Sequence, residues 1–391
     1  MRKMKKTIII IAIMMLSAQA FCQDIDNILR QIEENNTTLA ALSGRKEAAR
    51  AENRTSLAPP DPEAEFGYMW GAPGGKKNVN VRQSFDFPSL YSSKKALSEQ
   101  KNNSEEYNYR AQRMEILLTA KKTCLELVAC NALMNLYSRQ MANARTIAEA
   151  NMKMLDKGQT NILEYNKAQM NLAGMESRMK SLDAEKKRLL AVLEGMNGGK
   201  HVILEDSVFS TPVIPSDFES WYESVKDENP ALAYLKSKAE EADKAVKVVR
   251  RSTLPKFSVG FVGEYLRTEK FSGVSVGMSI PLWENSGRVR QAKAEAATAK
   301  MEVEDARMQY YSSLKSLHAK AVALQDVVEG YRKLFASSKG DELLYKAYMG
   351  GELSLLNYLL EMEYYFSAYE KCLESQRELA DAVAELEAFR L

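Results

Sequence analysis

The sequence predicts a mainly helical chain with a small transmembrane β portion: a long α-helical barrel wall plus four β-strands per protomer. Two short stretches, QSFDFP at 83–88 and MSIPLWE at 278–284, lie about half the chain apart and each follows an alternating segment that reads as a strand. Very long helical segments separate these strand pairs, and an export signal precedes everything. Together these features describe a duplicated chain that meets a membrane through strands.

The export signal comes first. Arg2, Lys3, Lys5 and Lys6 form a charged start, Thr7 to Leu16 an apolar core, and Ala18-Gln19-Ala20 a small-x-small cleavage site, so residues 1–20 read as a signal peptide. The apolar core is well short of the roughly 20 residues that a spanning helix needs, and no later stretch qualifies. Gln19 and Phe21 fit poorly around Cys22 as a lipid-anchoring cysteine.

Composition removes several classes. The chain carries 54 basic and 52 acidic residues, a balance that leaves no basic face for nucleic acid. Cys124, Cys130 and Cys372 sit inside helical patterns and read as small packing residues rather than disulfide or metal partners. With only His201 and His318, a histidine metal or catalytic site has almost no raw material, and no cofactor or metal is expected. The 19 methionines recur at core-like spacing and read as packing. No triad, phosphate loop or carboxylate pair can be assembled, and GAPGG at 71–75 lacks the Lys-Ser/Thr of a phosphate-cradling loop, so an enzyme is not expected.

The strands show period-two alternation. Ala64, Phe66, Tyr68 and Trp70 point one way, with Glu63, Glu65 and Gly67 opposite; Val79, Val81, Phe85 and Phe87 then alternate with Asn80, Arg82, Ser84 and Asp86. The Gly/Pro stretch at 71–77 makes the first pair a hairpin. In the second pair Phe257, Val259, Phe261 and Tyr265 alternate with Ser258, Gly260 and Glu264. After a turn around Arg267 to Ser272, Val274, Val276, Met278, Ile280 and Leu282 alternate with Ser275, Gly277 and Ser279. Each strand is about ten residues, the length that crosses a bilayer when tilted. A soluble half-buried sheet alternates in the same way; the uncharged aromatic and branched faces and the export signal favour lipid.

Four strands in lipid cannot leave their edges open, because every backbone N–H and C=O must find a partner there. Closure therefore demands further subunits. Two protomers give eight strands and a ring filled by side chains; three give twelve and room for a passage, which favours a homotrimer.

The remainder reads as helix. Ser92 to Met154 lacks Pro and Gly, and Gly287 to Met349 reads as one helix carrying Gly330; some 60 residues at 1.5 Å each extend roughly 90 Å. Ala292, Ala296, Ala299, Val303, Ala306, Tyr310, Leu314, Leu317, Ala321, Leu324, Val328, Tyr331 and Phe335 form a narrow stripe suited to a helix packed sideways in a ring. Both long helices end alike. Lys157-Gly158-Gln159-Thr160-Asn161-Ile162-Leu163-Glu164-Tyr165 aligns with Gly350-Gly351-Glu352-Leu353-Ser354-Leu355-Leu356-Asn357-Tyr358. Gly158 and Gly351 fit left-handed helix caps, and Thr160 and Ser354 stand near the start of the next helix. These are ordinary helical hairpin turns, or, at the end expected farthest from the strands, a place where a partner docks.

The repeat extends to the leading helices, where residues 36–42 match 229–235. The expected organisation is a first repeat at 24–216, with a helix, a strand pair at 63–87, a long helix to about 156, a returning helix at 159–196 and a linker. A second repeat at 217–391 has a helix, a strand pair at 257–282, a long helix to about 349 and a returning helix at 352–390.

This order of elements, with QSFDFP, LPKFSVG at 254–260, GVSVGMSIPLW at 273–283 and the two Gly turns, resembles the TolC outer-membrane efflux channel family across essentially the whole mature chain. The resemblance implies a homotrimer whose twelve-stranded outer-membrane barrel continues into a periplasmic tube of twelve helices. It implies a passive exit duct that works with a periplasmic adaptor protein and an inner-membrane transporter, is surrounded by outer-membrane lipid and is gated at the periplasmic tip. The tip turns, with Gly158, Thr160, Ile162, Leu163, Gly351, Leu353, Ser354 and Leu355, become the expected docking surface. The acidic residue holding the family's closed gate falls on Glu164 and its tyrosine partner on Tyr348. The two aspartates of the archetype's constriction fall on Asn357 and Leu360, so an acidic cation-trapping ring is not expected from these positions.

A periplasmic coiled-coil structural or adhesive protein is the alternative from another class, and a duct for protein secretion the alternative within the family. The ending at Leu391 leans toward drug or metal-ion export, while the cargo itself is not written in the residues.

Overall fold

The structure is a computed structural model that describes residues 23–55, 57–71, 74–281, 287–337 and 340–391. The expected signal peptide, Cys22, and Leu282 to Glu284 of the second matching stretch lie outside the described residues.

In chain order the elements are α1 (Gln23–Asn35), α2 (Thr37–Thr55), β1 (Glu63–Met69), β2 (Lys76–Phe85), α3 (Pro88–Asp156), α4 (Ile162–Met196), α5 (Phe218–Val225), α6 (Pro230–Arg251), β3 (Lys256–Tyr265), β4 (Lys270–Ser279), α7 (Arg288–Ser337), α8 (Gly340–Met349) and α9 (Leu355–Leu386), with a closing 3-10 turn at Ala388–Arg390. No described helix is long and apolar enough to cross a membrane. The chain forms two compact units: one gathers residues up to Ala40, Arg113–Ser224 and Tyr311–Leu391, the other Ala41–Gln112 and Val225–Tyr310. Each unit therefore draws on both sequence halves.

The second unit holds the sheet. Its order is β1-β2-β3-β4 with every neighbour antiparallel, so β1 and β4 are edges. β1 has seven residues rather than about ten, and the β3–β4 turn is tighter than expected, closed by the Leu266 amide donating to the Glu269 carbonyl at 2.9 Å. QSFDFP is a corner rather than the continuation of a strand. β2 stops at Phe85, Asp86 is buried and paired with Lys94 at 2.9 Å, and Pro88 opens α3, where its missing N–H costs nothing. Polar contacts join α3 to α6: Gln100 Nε2 donates to Ser237 Oγ at 3.0 Å, Ser104 and Ser237 share a hydrogen bond at 3.0 Å, and Lys244 donates to Gln100 at 2.7 Å.

The first unit is helical. One core cluster gathers Ile28 and Ile32 of α1, Leu117, Ala120, Cys124, Leu127 and Val128 of α3, and Leu189 and Leu193 of α4, closed by Val202, Leu204 and Phe209 of the linker. Spacings of three and four residues along α3 place this stripe on one side, as an amphipathic helix requires. The linker then lies along α7. Arg332 donates to Thr211 at 3.3 Å, His318 Nε2 sits 2.7 Å from the Pro215 carbonyl, and Tyr311 donates to Glu219 at 2.7 Å.

The narrow stripe predicted on α7 is the side that packs. Ala292, Ala296, Leu314, Ala321 and Val328 are buried, the other eight stripe positions are half-buried, and Met301 and Met308 off the stripe stand exposed. Helix is described on both sides of residues 338–339, which lie outside the described set: α7 to Ser337 and α8 from Gly340.

Cys124, Cys130 and Cys372 are free and buried, and burial pushes the Cys124 thiol up to about 12. A protonated, enclosed thiol is inert. Native protein at pH 8 is expected to resist alkylation at all three positions until denaturant is added, as read by mass spectrometry; rapid native labelling of Cys124 would contradict the packing.

Candidate functional site

Two features stand out: the surface of the sheet in one unit and the paired helical turns in the other.

Register decides what the sheet presents. Phe66 lies opposite Val79, Ala64 opposite Val81, Val81 opposite Phe261, Phe85 opposite Phe257, and Phe257, Val259 and Phe261 lie opposite Met278, Val276 and Val274. Because side chains alternate, these residues share one face. That face is bare: Phe66 is 70%, Val274 78% and Val276 80% exposed. Gln83 interrupts it, its amide donating to the Pro60 carbonyl at 2.7 Å. The opposite face is mostly small or polar, with Glu65, Gly67, Asn78, Asn80, Arg82, Ser258, Gly260, Ser275 and Gly277, and carries Met69, Val262 and Phe271 toward the hairpin end. It is close-packed and low in relief, since a Cβ on Gly277 would stand 2.6 Å from Ser258 Oγ. A soluble sheet buries its apolar face and wets its polar one; here the apolar face is left open.

The turns after α3 and α8 are built alike. Gly158 and Gly351 hold φ of +70° and +77°, the left-handed region that glycine enters without strain. In the first turn the amides of Gly158 and Gln159 donate to the carbonyls of Leu155 and Met154; in the second those of Gly351 and Glu352 donate to Tyr348 and Ala347. This is the Schellman closure of a helix end in both places. Asn161 then caps α4, accepting from the Leu163 and Glu164 amides at 3.0 Å each, and Ser354 caps α9, accepting from the Asn357 amide at 3.2 Å. Ser354 stands as expected; Thr160 is replaced in that role by Asn161, which lies at the same distance from its glycine and has the side-chain oxygen in reach.

Beyond the caps the turns differ. Ile162 and Leu163 are 53% and 65% exposed, whereas Leu355 is 5% exposed and belongs to the core cluster that runs through Tyr358, Met362 and Phe366 of α9 and Tyr137 and Ile147 of α3. Leu355 is therefore core, a correction to its place on a docking surface. Leu353 is half-buried, and Leu356, Asn357 and Leu360 are exposed. The structure does not bring Glu164 and Tyr348 together within the protomer. Glu164 pairs with Lys167 at 2.9 Å, while the Tyr348 hydroxyl accepts from Asn151 Nδ2 at 3.0 Å and its ring stacks on Tyr358, centroids 5.2 Å apart. Asn151, buried on α3, was missed in the sequence; its trace is a polar residue four positions after Ile147 on the packing stripe.

A second polar link joins three helices. Tyr137 of α3 donates to Glu370 of α9 and accepts from Arg178 of α4 at 3.0 Å, and Arg178 reaches Glu363 at 3.5 Å. Burial, then the Glu370 hydrogen bond, pushes the Tyr137 phenol up to about 12, and burial does the same to Tyr358. Among the described residues no group of three His, Cys, Asp or Glu is arranged to hold a metal.

No protein-family model matches the chain, and no curated protein matches it. Solved structures do. The channel protein CusC shares 14% identity over 94% of this chain and 92% of its own, with a TM-score of 0.78. The outer membrane channel CmeC of Campylobacter jejuni shares 17% over 94% and 85%, with a TM-score of 0.75. The outer membrane protein VceC of Vibrio cholerae shares 14% over 94% and 93%, with a TM-score of 0.71. The chain has the outer-membrane channel fold of these proteins, long helices with a small antiparallel sheet. That is the fold class read from the sequence through its resemblance to the TolC family.

Two outcomes follow from the helical turns. Asn151→Ala and Tyr348→Phe are each expected to cost about 1–2 kcal/mol in denaturant unfolding and to be non-additive, whereas Glu164→Ala, losing only a half-buried pair within one helix turn, costs below about 0.5. Tyr137 and Tyr358 favour the protonated phenol in the folded state, so their contribution is complete below pH about 10 and is lost as pH rises through about 12. Helical ellipticity and phenolate absorbance should change together in that window; titration of every phenol near 10 with the fold intact would contradict it.

Proposed function

We propose that this protein is an outer-membrane efflux channel, the passive exit duct of a tripartite pump for small molecules, drugs or metal ions. It catalyses nothing. The observation that carries the reading is the sheet: an exposed apolar face charged only at its hairpin end by Lys77 and Lys270, a mostly small and polar face behind it and two open edges. The channel fold of its structural neighbours points the same way.

Magnitudes favour lipid and then force assembly. Ten large apolar side chains on the bare face would each gain roughly 2 kcal/mol on leaving water, on the order of 20 kcal/mol in sum. Against this, about half of the backbone groups of β1 and β4 point outward, and each costs several kcal/mol if unpaired in hydrocarbon. One sheet alone therefore cannot enter. Joining β1 of one protomer to β4 of another removes the edges, and three protomers make a ring of twelve strands wide enough for solutes, with the small polar face lining it. The protein on this reading resides in the outer membrane with its helices in the periplasm.

The turns at Gly158, Thr160, Ile162, Leu163, Gly351, Leu353 and Ser354 form the tip that meets the periplasmic adaptor and, through it, the inner-membrane transporter. Exposed Ile162 and Leu163 supply the apolar contact. Glu164, Tyr348 and Asn357 belong to the gate. Because Tyr348 is held by Asn151 inside its own protomer, Glu164 acts between protomers and Tyr348 fixes the helix that carries it.

The test is fractionation followed by electrophoresis in mild detergent without heating. The protein is expected in the outer-membrane fraction as a heat-sensitive trimer that conducts in planar bilayers; recovery as a soluble monomer would refute the reading. In the same bilayers Glu164→Ala should raise single-channel conductance, and unchanged conductance would remove Glu164 from the gate.

A further inference from the structure

One row of the sheet breaks the apolar face in a regular way. Tyr68 is paired with Lys77, Lys77 with Tyr265, and Tyr265 with Lys270, so these four side chains follow one another across all four strands. Strand parity puts them on the same face as Phe66, Val81, Phe261 and Val274, at the end next to both hairpin turns. Lys77 and Lys270 are exposed, and neither has an ion pair or side-chain hydrogen bond among the described residues. Lys76, one residue away but on the opposite face, is paired with Glu264 at 2.7 Å. At this end of the sheet, therefore, the cation behind the row is neutralised and the two within the row are not.

The surroundings strengthen the pattern. The two hairpin tips are neighbours, since a Cβ on Gly74 would stand 3.0 Å from Arg267 Cβ, which adds an exposed guanidinium at this end. Lys76, Lys77, Arg267 and Lys270 outnumber the carboxylates Glu264 and Glu269 here. The Tyr265 ring lies back over Gly263, 3.0 Å from where a Cβ would be, and covers the gap that the glycine leaves in the apolar face. Trp70, 86% exposed, stands edge-on to Tyr68 with centroids 5.6 Å apart. At the other end of the same face the row is Phe85, Phe257 and Met278, with no charge.

A lysine on a lipid-facing surface is costly at mid-depth and nearly free at the interface, where its stem lies along the apolar surface and its ammonium reaches the headgroups. Tyr and Trp favour the same level. Two unpaired ammonium groups alternating with two phenols at one rim only are complementary to a layer of negative charge on one side of a bilayer. We propose that the Tyr68–Lys77–Tyr265–Lys270 row binds the phosphate headgroups of anionic lipids in the leaflet around the hairpin end and thereby sets the depth of the sheet in the membrane. This rests on the membrane reading above and adds the lipid class and the residues that select it. In a closed ring the row becomes a continuous alternating belt.

The test uses the full chain in phosphatidylcholine vesicles containing brominated phosphatidylglycerol, and in the reciprocal mixture with brominated phosphatidylcholine. Tryptophan quenching is the readout, with Trp70→Phe identifying the rim signal. Quenching is expected to favour the anionic lipid by about fivefold per lysine. The preference should vanish in the Lys77→Gln/Lys270→Gln double variant and fade in 1 M salt, where the Debye length is about 3 Å. Lys76→Gln should retain it, and soluble glycerol phosphate should not compete at concentrations matching the lipid. Equal quenching by both lipids in the unaltered protein, or a preference that survives in the double variant, would overturn the proposal. Should the double variant fail to fold, the unaltered protein's lipid preference and its salt dependence decide. Failure to enter either vesicle would instead overturn the membrane reading, so the two failures are distinguishable.

Discussion

The unpaired backbone at the two edges of the sheet is the constraint on which the rest depends. In water an exposed edge is satisfied by solvent; against hydrocarbon each outward N–H and C=O costs several kcal/mol. The bare apolar face of β1 to β4 suits hydrocarbon, while the edges forbid it to a lone protomer. On the function proposed above, both demands are met when copies of the chain complete the sheet, and a four-stranded sheet that would be marginal by itself becomes the membrane part of a larger object.

The helices follow a similar logic with weaker forces. α7 buries one narrow stripe of alanine, leucine and valine and leaves the rest of its surface open, the pattern of a helix with packed neighbours on one side only. Where helices must hold a fixed register, two buried polar side chains do it: Asn151 through Tyr348, and Tyr137 through Glu370 and Arg178. Such bonds add little net stability, but leaving one partner unsatisfied in the core is expensive, so they select one arrangement over its neighbours.

Much was legible because it is local. The two Gly turns, the cap at Ser354, the alternating strands and the α7 stripe all depend on residues within a few positions of one another, and each was read correctly in kind. The misses have physical causes. Thr160 was favoured over Asn161 because both residue types cap helices, and which oxygen reaches the amides depends on the backbone path out of the turn. Leu355 and Ile162 occupy matching positions, yet one is core and the other surface, because Leu355 joins a cluster to which α3 and α4 contribute from distant parts of the chain.

By itself the sequence determined the period of every element, the punctuation between elements and the chemistry of each strand face. These follow from side-chain size, polarity and backbone preference, which act over a few residues. Only the tertiary structure decided that β2 pairs with β3, joining the two hairpins into one sheet with its apolar residues aligned, and that Tyr348 bonds Asn151 rather than Glu164. Those outcomes join residues nearly 200 positions apart, and they depend on register and burial that no local pattern encodes.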